Sequence, residues 1–217
     1  MIRCILFDRD GTLGDLVDKR YPQTLVPYGD IQALFSSLKN KGYLVGIITN
    51  QSSIARGTGA DYPFEKEFAA WGADVWKICP HDNADNCHCR KPKSGLLYAA
   101  CEALGITPQE CLVVGDRLSD ILCAKNTGAD GVLVLTGNGA AEQEQVRALY
   151  PEVKILPSVH SLFSILIQRT INMLIPFRAI VGRDPASIWP HVSTYCQMKK
   201  FQTTKINLWK LKISFII

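Results

Sequence analysis

Nowhere along the 217 residues does an apolar run extend unbroken over the roughly 18 positions that a membrane-spanning helix needs. The nearest approach, SLFSILIQRTINMLIPF at 161–177, is interrupted by Gln168, Arg169 and Asn172, so no transmembrane segment is expected. The opening residues MIRCILFD lack the basic leader, apolar run and small-residue cleavage site of a secretory signal and read as a buried strand, which predicts a cytoplasmic protein. No two cysteines stand at C-x-x-C spacing, the arrangement typical of thiol redox pairs. In a reducing compartment disulfides are not expected either. Internal repeats and low-complexity tracts are absent. A net basic charge is missing from most of the chain. The formal net charge is +4, but from Ser158 onward eight Lys and Arg face a single acid, Asp184, leaving the tail about +7 and the preceding part about −3 by difference. A mildly acidic body is a poor surface for nucleic acid.

What is present is apolar sequence in short blocks. With 47% hydrophobic residues the chain can bury one sizeable core. IRCILFD, YLVGIIT, DVWKIC, ECLVVGD and GVLVLTG are brief β-forming runs that read as strands buried on both faces. Helical spacing lies between them: Ile31, Leu34, Phe35 and Leu38; Tyr62 to Trp71; Leu96 to Leu104, ending at Gly105; Leu118 to Asn126; and AAEQEQVRALY. Strand and helix in alternation predict an α/β fold with a mostly parallel sheet. Neither Leu13–Tyr43 nor Asn50–Lys91 leaves room for a separate cap domain once its helices are placed. Residues 1–165 are expected to form one domain, which SLFSIL could close, and 166–217 an extension of unknown role, since Phe177 to Ile217 shows no clear period.

Cys4, Cys101, Cys111 and Cys123 fall inside apolar segments and are expected in the core. Cys79, His81, Cys87 and Cys89 are different. Cys-x-His, five residues and Cys-x-Cys set two close ligand pairs around a short polar loop, and four soft ligands with no open position suit structural Zn²⁺. His88, between two cysteines, is expected to point away from a metal that both hold. Free thiols on a flexible loop are the competing reading. The loop runs directly into Arg90, Lys91 and Pro92, so a metal-clamped Cys89 would fix the bend that carries Lys91.

Four polar sets follow the predicted strands. Asp8 and Asp10 in FDRDGTL come after the first, where a carboxylate can attack an electrophile and Gly11 allows a tight exit turn. Thr49 in TNQSS offers a hydroxyl and the following N–H groups to an anion. Lys91 brings a cation, and Asp116 and Asp120 in GDRLSD could hold Mg²⁺. Singly, each has a plainer reading as a turn, a surface lysine or a helix cap. Jointly they sit where parallel strands end, on the one edge that forms the usual ligand crevice.

This order resembles the haloacid dehalogenase (HAD) superfamily of phosphotransferases over roughly residues 1–165, through Asp8, Asp10, Thr49, Lys91, Asp116 and Asp120. The resemblance implies a three-layer, Rossmann-like parallel sheet of the HAD type, without a separate cap domain and with a zinc-binding loop at 79–89. It implies Asp8 as the nucleophile that forms an aspartyl-phosphate, and Asp10 as the acid that protonates the leaving alcohol and then activates water. Mg²⁺ would lie between Asp8, the Asp10 backbone carbonyl and Asp116, with Asp120 as a supporting acid. CPHDNADNCHCRKPK is similar to the loops of two zinc-bearing phosphatase families, the histidinol-phosphate phosphatases and the D-glycero-D-manno-heptose 1,7-bisphosphate 7-phosphatases; TNQSSIARG and VLVLTGNG resemble the second more closely. That likeness implies Asn50, Gln51, Ser52 and Arg90 at the substrate and Arg117 at its phosphate. Arg56, Arg90 and Arg117 suit a small partner with a second anionic group, such as a sugar bisphosphate. Histidinol phosphate is the second substrate, followed by a polynucleotide 3′-phosphate or, outside enzymes, a zinc-stabilised binding module. LGDLVDKRY after DRDGT matches neither zinc-bearing family, and 57–79 is short for the heptose pattern. The oligomeric state is not legible.

Overall fold

The computed structural model of the chain describes residues 1–166; the rest of the expected extension, 167–217, lies outside the described residues. In chain order the strands are β1 (Cys4–Phe7), β2 (Gly14–Leu16), β3 (Leu25–Pro27), β4 (Leu44–Asn50), β5 (Val75–Cys79), β6 (Cys111–Gly115), β7 (Asp130–Val134) and β8 (Lys154–Leu156). The α-helices are α1 (Ile31–Lys39), α2 (Ser52–Ala55), α3 (Phe64–Ala70), α4 (Gly95–Leu104), α5 (Leu118–Lys125) and α6 (Gly139–Leu149). Six strands form one parallel sheet in the order β5-β4-β1-β6-β7-β8.

β1 explains the sandwich. All four of its side chains are fully buried, which requires cover on both faces. Alternation sends Cys4 and Leu6 into a core shared with Leu97 and Cys101 of α4 and Cys123 of α5. Phe7 points to the other side and stacks on Phe35 of α1, with ring centroids 5.3 Å apart. Asp30 starts α1 by accepting a hydrogen bond from the Ala33 N–H at 2.8 Å, which satisfies one of the free donors of the first turn. The four core cysteines expected from their apolar surroundings are all buried.

One expectation needs correction. β5 is not buried on both faces: among the described residues β4 is its sole sheet neighbour, and its three middle residues are only half-buried. Between β1 and α1 the chain folds into the antiparallel β2–β3 hairpin, which the sequence reading did not include. β8 adds a further edge strand whose three residues carried no signal of their own. Among the described residues there is no separate cap domain, and no helix is long and apolar enough to cross a membrane.

Because Phe35 is wholly buried and anchors α1 to the central strand, Phe35→Ala is expected to lower the unfolding free energy by about 3–5 kcal/mol in a urea titration. A loss below about 1 kcal/mol would mean that this contact does not secure the helix.

Candidate active site

The sheet order decides what meets at the site. β4, β1 and β6 are adjacent and parallel, with Phe7 opposite both Ile47 and Val114, so Asp8, Thr49 and Asp116 emerge side by side from one edge. The chain passes to one side of β1 to form β4 and to the other to form β6, so the crevice lies where the strand order reverses.

Lys91 enters this edge from the loop before α4 and is buried. Its Nζ donates to Asp8 Oδ1 at 2.7 Å and to the Ile48 carbonyl at 2.8 Å, and it pairs with Asp120 Oδ1 at 2.7 Å. Burial alone would favour the neutral amine, but Asp120 and Asp8 outweigh it and hold the ammonium protonated. The Lys91–Pro92 peptide is cis. Asn50 locks the bend from the other side: the Lys91 N–H donates to Asn50 Oδ1 at 3.0 Å, and Asn50 Nδ2 donates to the Lys91 carbonyl at 3.1 Å.

The carboxylates outnumber the cation. Ligand oxygens of Asp8, Asp116 and Asp120, all three buried, lie within 4.8 Å of one another. Burial pushes Asp120 up to about 7 against the pull of Lys91, with Asp8 and Asp116 adding to the shift. Burial and Asp8 likewise raise Asp116, although Asn138 opposes them. The Asn138 backbone N–H and Nδ2 donate to Asp116 Oδ2 at 2.8 and 2.9 Å, and the Thr12 hydroxyl donates to Oδ1 at 3.2 Å. Backbone approaches this carboxylate so closely that a Cβ on Gly11 or Gly137, both at positive φ, would fall 2.3 or 2.4 Å from Asp116 Oδ2. Three crowded acids beside one ammonium form a cradle that a hard divalent cation could fill.

Asp10 is not a member of this group. Its Oδ1 accepts from Arg9 at 2.6 Å and its Oδ2 from Gln51 Nε2 at 2.9 Å, and the same amide nitrogen donates to the Thr49 hydroxyl at 3.1 Å. Burial raises the Asp10 carboxyl, Arg9 pulls it back, and the charge of Asp8 adds to the rise. Asp8 and Asp10 line a cleft of ≈ 580 Å³, and Asn50, Gln51, Ser52, Lys91, Arg90 and Arg117 line it too. Arg90 is tethered by Nη1 to the Ser52 hydroxyl at 2.8 Å and to the His81 carbonyl at 3.1 Å. Arg117 is half exposed and reaches Glu142 only at 4.0 Å.

Cys79, His81, Cys87 and Cys89 come together at the end of β5. Cys79 Sγ is 3.6 Å from both His81 Nδ1 and Cys87 Sγ, and Cys89 Sγ is 3.3 Å from His81 Nδ1 and 3.4 Å from Cys87 Sγ. A tetrahedral zinc with bonds of ~2.3 Å has ligand edges of ~3.8 Å, so the four atoms stand close to those corners. His88 is exposed and outside the group.

Arg9, Glu67, Thr12 and Asn138 are site neighbours that sequence reasoning did not single out. Asn138 had a legible signal, being polar and flanked by glycines directly after a strand. Arg9 had none, since an arginine between two aspartates reads as a solvated cation.

A HAD-hydrolase-like family model matches residues 88–162. The D-glycero-beta-D-manno-heptose-1,7-bisphosphate 7-phosphatase of Haemophilus ducreyi is 33% identical over 166 residues, spanning 67% of this chain and 90% of that protein. Its counterpart from Pasteurella multocida is 36% identical over 170 residues, spanning 69% and 91%. Among solved structures, the D,D-heptose 1,7-bisphosphate phosphatase from B. bronchiseptica, complexed with magnesium and phosphate, superposes with a TM-score of 0.68 at 26% identity, over 77% of this chain and 99% of that one. Sheet, strand-end carboxylates and family match together define a HAD-type phosphoric monoester hydrolase. Within that class, the chain belongs to the family of heptose bisphosphate 7-phosphatases.

Asn50→Ala would leave both backbone groups of Lys91 without side-chain partners. It is expected to cost about 1–3 kcal/mol of stability in denaturant melts and at least ~10-fold in turnover as the lysine shifts. Lower stability with full turnover would restrict Asn50 to holding the loop.

Proposed function

We propose that this chain hydrolyses the 7-phosphate of a D-glycero-D-manno-heptose 1,7-bisphosphate through a phosphoryl group carried on Asp8, with Mg²⁺ at Asp8, Asp116 and the Asp10 carbonyl and Zn²⁺ at Cys79, His81, Cys87 and Cys89. The observation that carries this reading is the excess of buried carboxylate over ammonium at the floor of a cleft whose walls bear arginines. The relatives' printed activities supply the substrate class. Arg56, Arg90 and Arg117 around the cleft suit a second phosphate, and Lys19 from the loop after β2 adds another cation.

A phosphate monoester dianion repels an approaching carboxylate, so positive charge must meet the equatorial oxygens. Bound Mg²⁺ would supply that charge and screen the acids from one another. Asp8 attacks phosphorus as the bond to the ester oxygen breaks, while Lys91 faces the charge that gathers there. Asp10 gives its proton to the departing alkoxide. It then takes a proton from the water that attacks the phosphoryl-Asp8, releasing inorganic phosphate and restoring the Asp8 carboxylate. Asp120 keeps Lys91 in place rather than meeting substrate. The four thiol and imidazole ligands would bind a metal whose work is structural, fixing the loop that presents Arg90 and Lys91.

Asp8→Asn is expected to abolish phosphate release in the presence of Mg²⁺ while leaving the fold intact by circular dichroism; retained turnover would remove Asp8 from its role. In a panel of the heptose bisphosphate, histidinol phosphate and a 3′-phosphorylated oligonucleotide, the heptose ester is expected to lead by at least ~10-fold in kcat/KM. A lead by either competitor would reassign the substrate. Elemental analysis should return about one zinc per chain, lost together with thermal stability in Cys87→Ser. A zinc-free protein with an unchanged melting temperature would contradict the structural site.

A further inference from the structure

Among the described residues Arg9 is the largest side chain wholly removed from solvent, and in the sequence it stands between the two aspartates of the site. A buried guanidinium is retained only when its donors are met, and these are met by three separate parts of the chain. Nε donates to Glu67 Oε2 at 2.6 Å and Nη2 to Glu67 Oε1 at 2.9 Å, a two-pronged pair with α3. Nη2 also donates to the Pro22 carbonyl, at 2.8 Å, in the loop that joins β2 to β3. Nη1 donates to Asp10 Oδ1 at 2.6 Å. The Tyr62 hydroxyl donates to Glu67 Oε1 at 2.7 Å, and the rings of Tyr62 and Phe64 lie 5.3 and 5.2 Å from the guanidinium carbon. Gln51 takes the other oxygen of Asp10. With one donor on each oxygen, the carboxyl plane of Asp10 cannot turn.

We propose that Arg9 and Glu67 are positioning residues that fix the carboxyl of Asp10 for proton transfer, so that α3 and the hairpin loop, with no separate cap domain among the described residues, buttress the acid rather than cover the substrate. This rests on the reading of Asp10 as acid and base given above. Neither residue touches substrate. Their effect must therefore appear only where a proton has to be delivered.

The test compares kcat/KM, which reports phosphoryl transfer to Asp8, for an alkyl phosphate and for 4-nitrophenyl phosphate. An alkoxide needs a proton to leave, and nitrophenolate does not. In Glu67→Gln, which keeps the side-chain size, kcat/KM for the alkyl ester is expected to fall about 10-fold or more and that for the aryl ester less than about 3-fold, with KM little changed. Arg9→Lys, which keeps the charge but loses the fork, is expected to show the same split and serves where Glu67→Gln does not fold. Equal losses on both esters, or none on either, would overturn the proposal. Asp10→Asn separates the two levels. If it shows the split and the positioning variants do not, the buttress alone fails; if Asp10→Asn itself lacks the split, the acid assignment fails and takes the buttress with it.

Discussion

A single buried ammonium holds the site together. Lys91 bridges the end of β1 through Asp8, the end of β4 through the Ile48 carbonyl and the start of α5 through Asp120, so one charge ties three elements at the edge where they could spread apart. Removing water from these groups is costly and only close pairing offsets it. One cation cannot offset three carboxylates, however. The remaining negative charge suits the edge to a divalent ion, and the proposed attack of an acid on phosphate depends on that ion and the ammonium together.

The neighbouring loop keeps that ammonium where it is. Lys91 follows Cys89 by two residues, and Asn50 binds the backbone of Lys91 on both sides. The thiol and imidazole group therefore stands directly before the bend that carries Lys91. Arg90 makes the link explicit, since its guanidinium runs from the His81 carbonyl to the Ser52 hydroxyl and so joins the Cys/His loop to the start of α2. Arg9 provides the matching support for Asp10 from the opposite flank, through α3.

The sheet was legible because β1, β4, β6 and β7 are apolar runs long enough to show themselves, and the strand-end carboxylates could be ordered once the strands were parallel. The grouping of Cys79, His81, Cys87 and Cys89 was legible because their spacing is local. What could not be read depends on chain closure. β2, β3 and β8 have three residues each, and Val26 stands largely exposed, so neither apolar period nor length marks them. The burial of Arg9 depends on Glu67, 58 positions away. Asn50 could be placed at the cleft from the motif, but not the bonds that turn its amide toward Lys91 rather than outward.

The central claim is that Asp8, held by Lys91, attacks phosphorus. The most direct measurement is rapid acid quench of the enzyme during turnover with Mg²⁺ and the heptose bisphosphate, followed by peptide mapping by mass spectrometry. The account predicts a phosphoryl group on the peptide that contains Asp8, trapped as the acyl phosphate and absent without Mg²⁺. A phosphoryl group on any other residue, or turnover in which phosphorus passes to water in one step with inverted configuration, would contradict it.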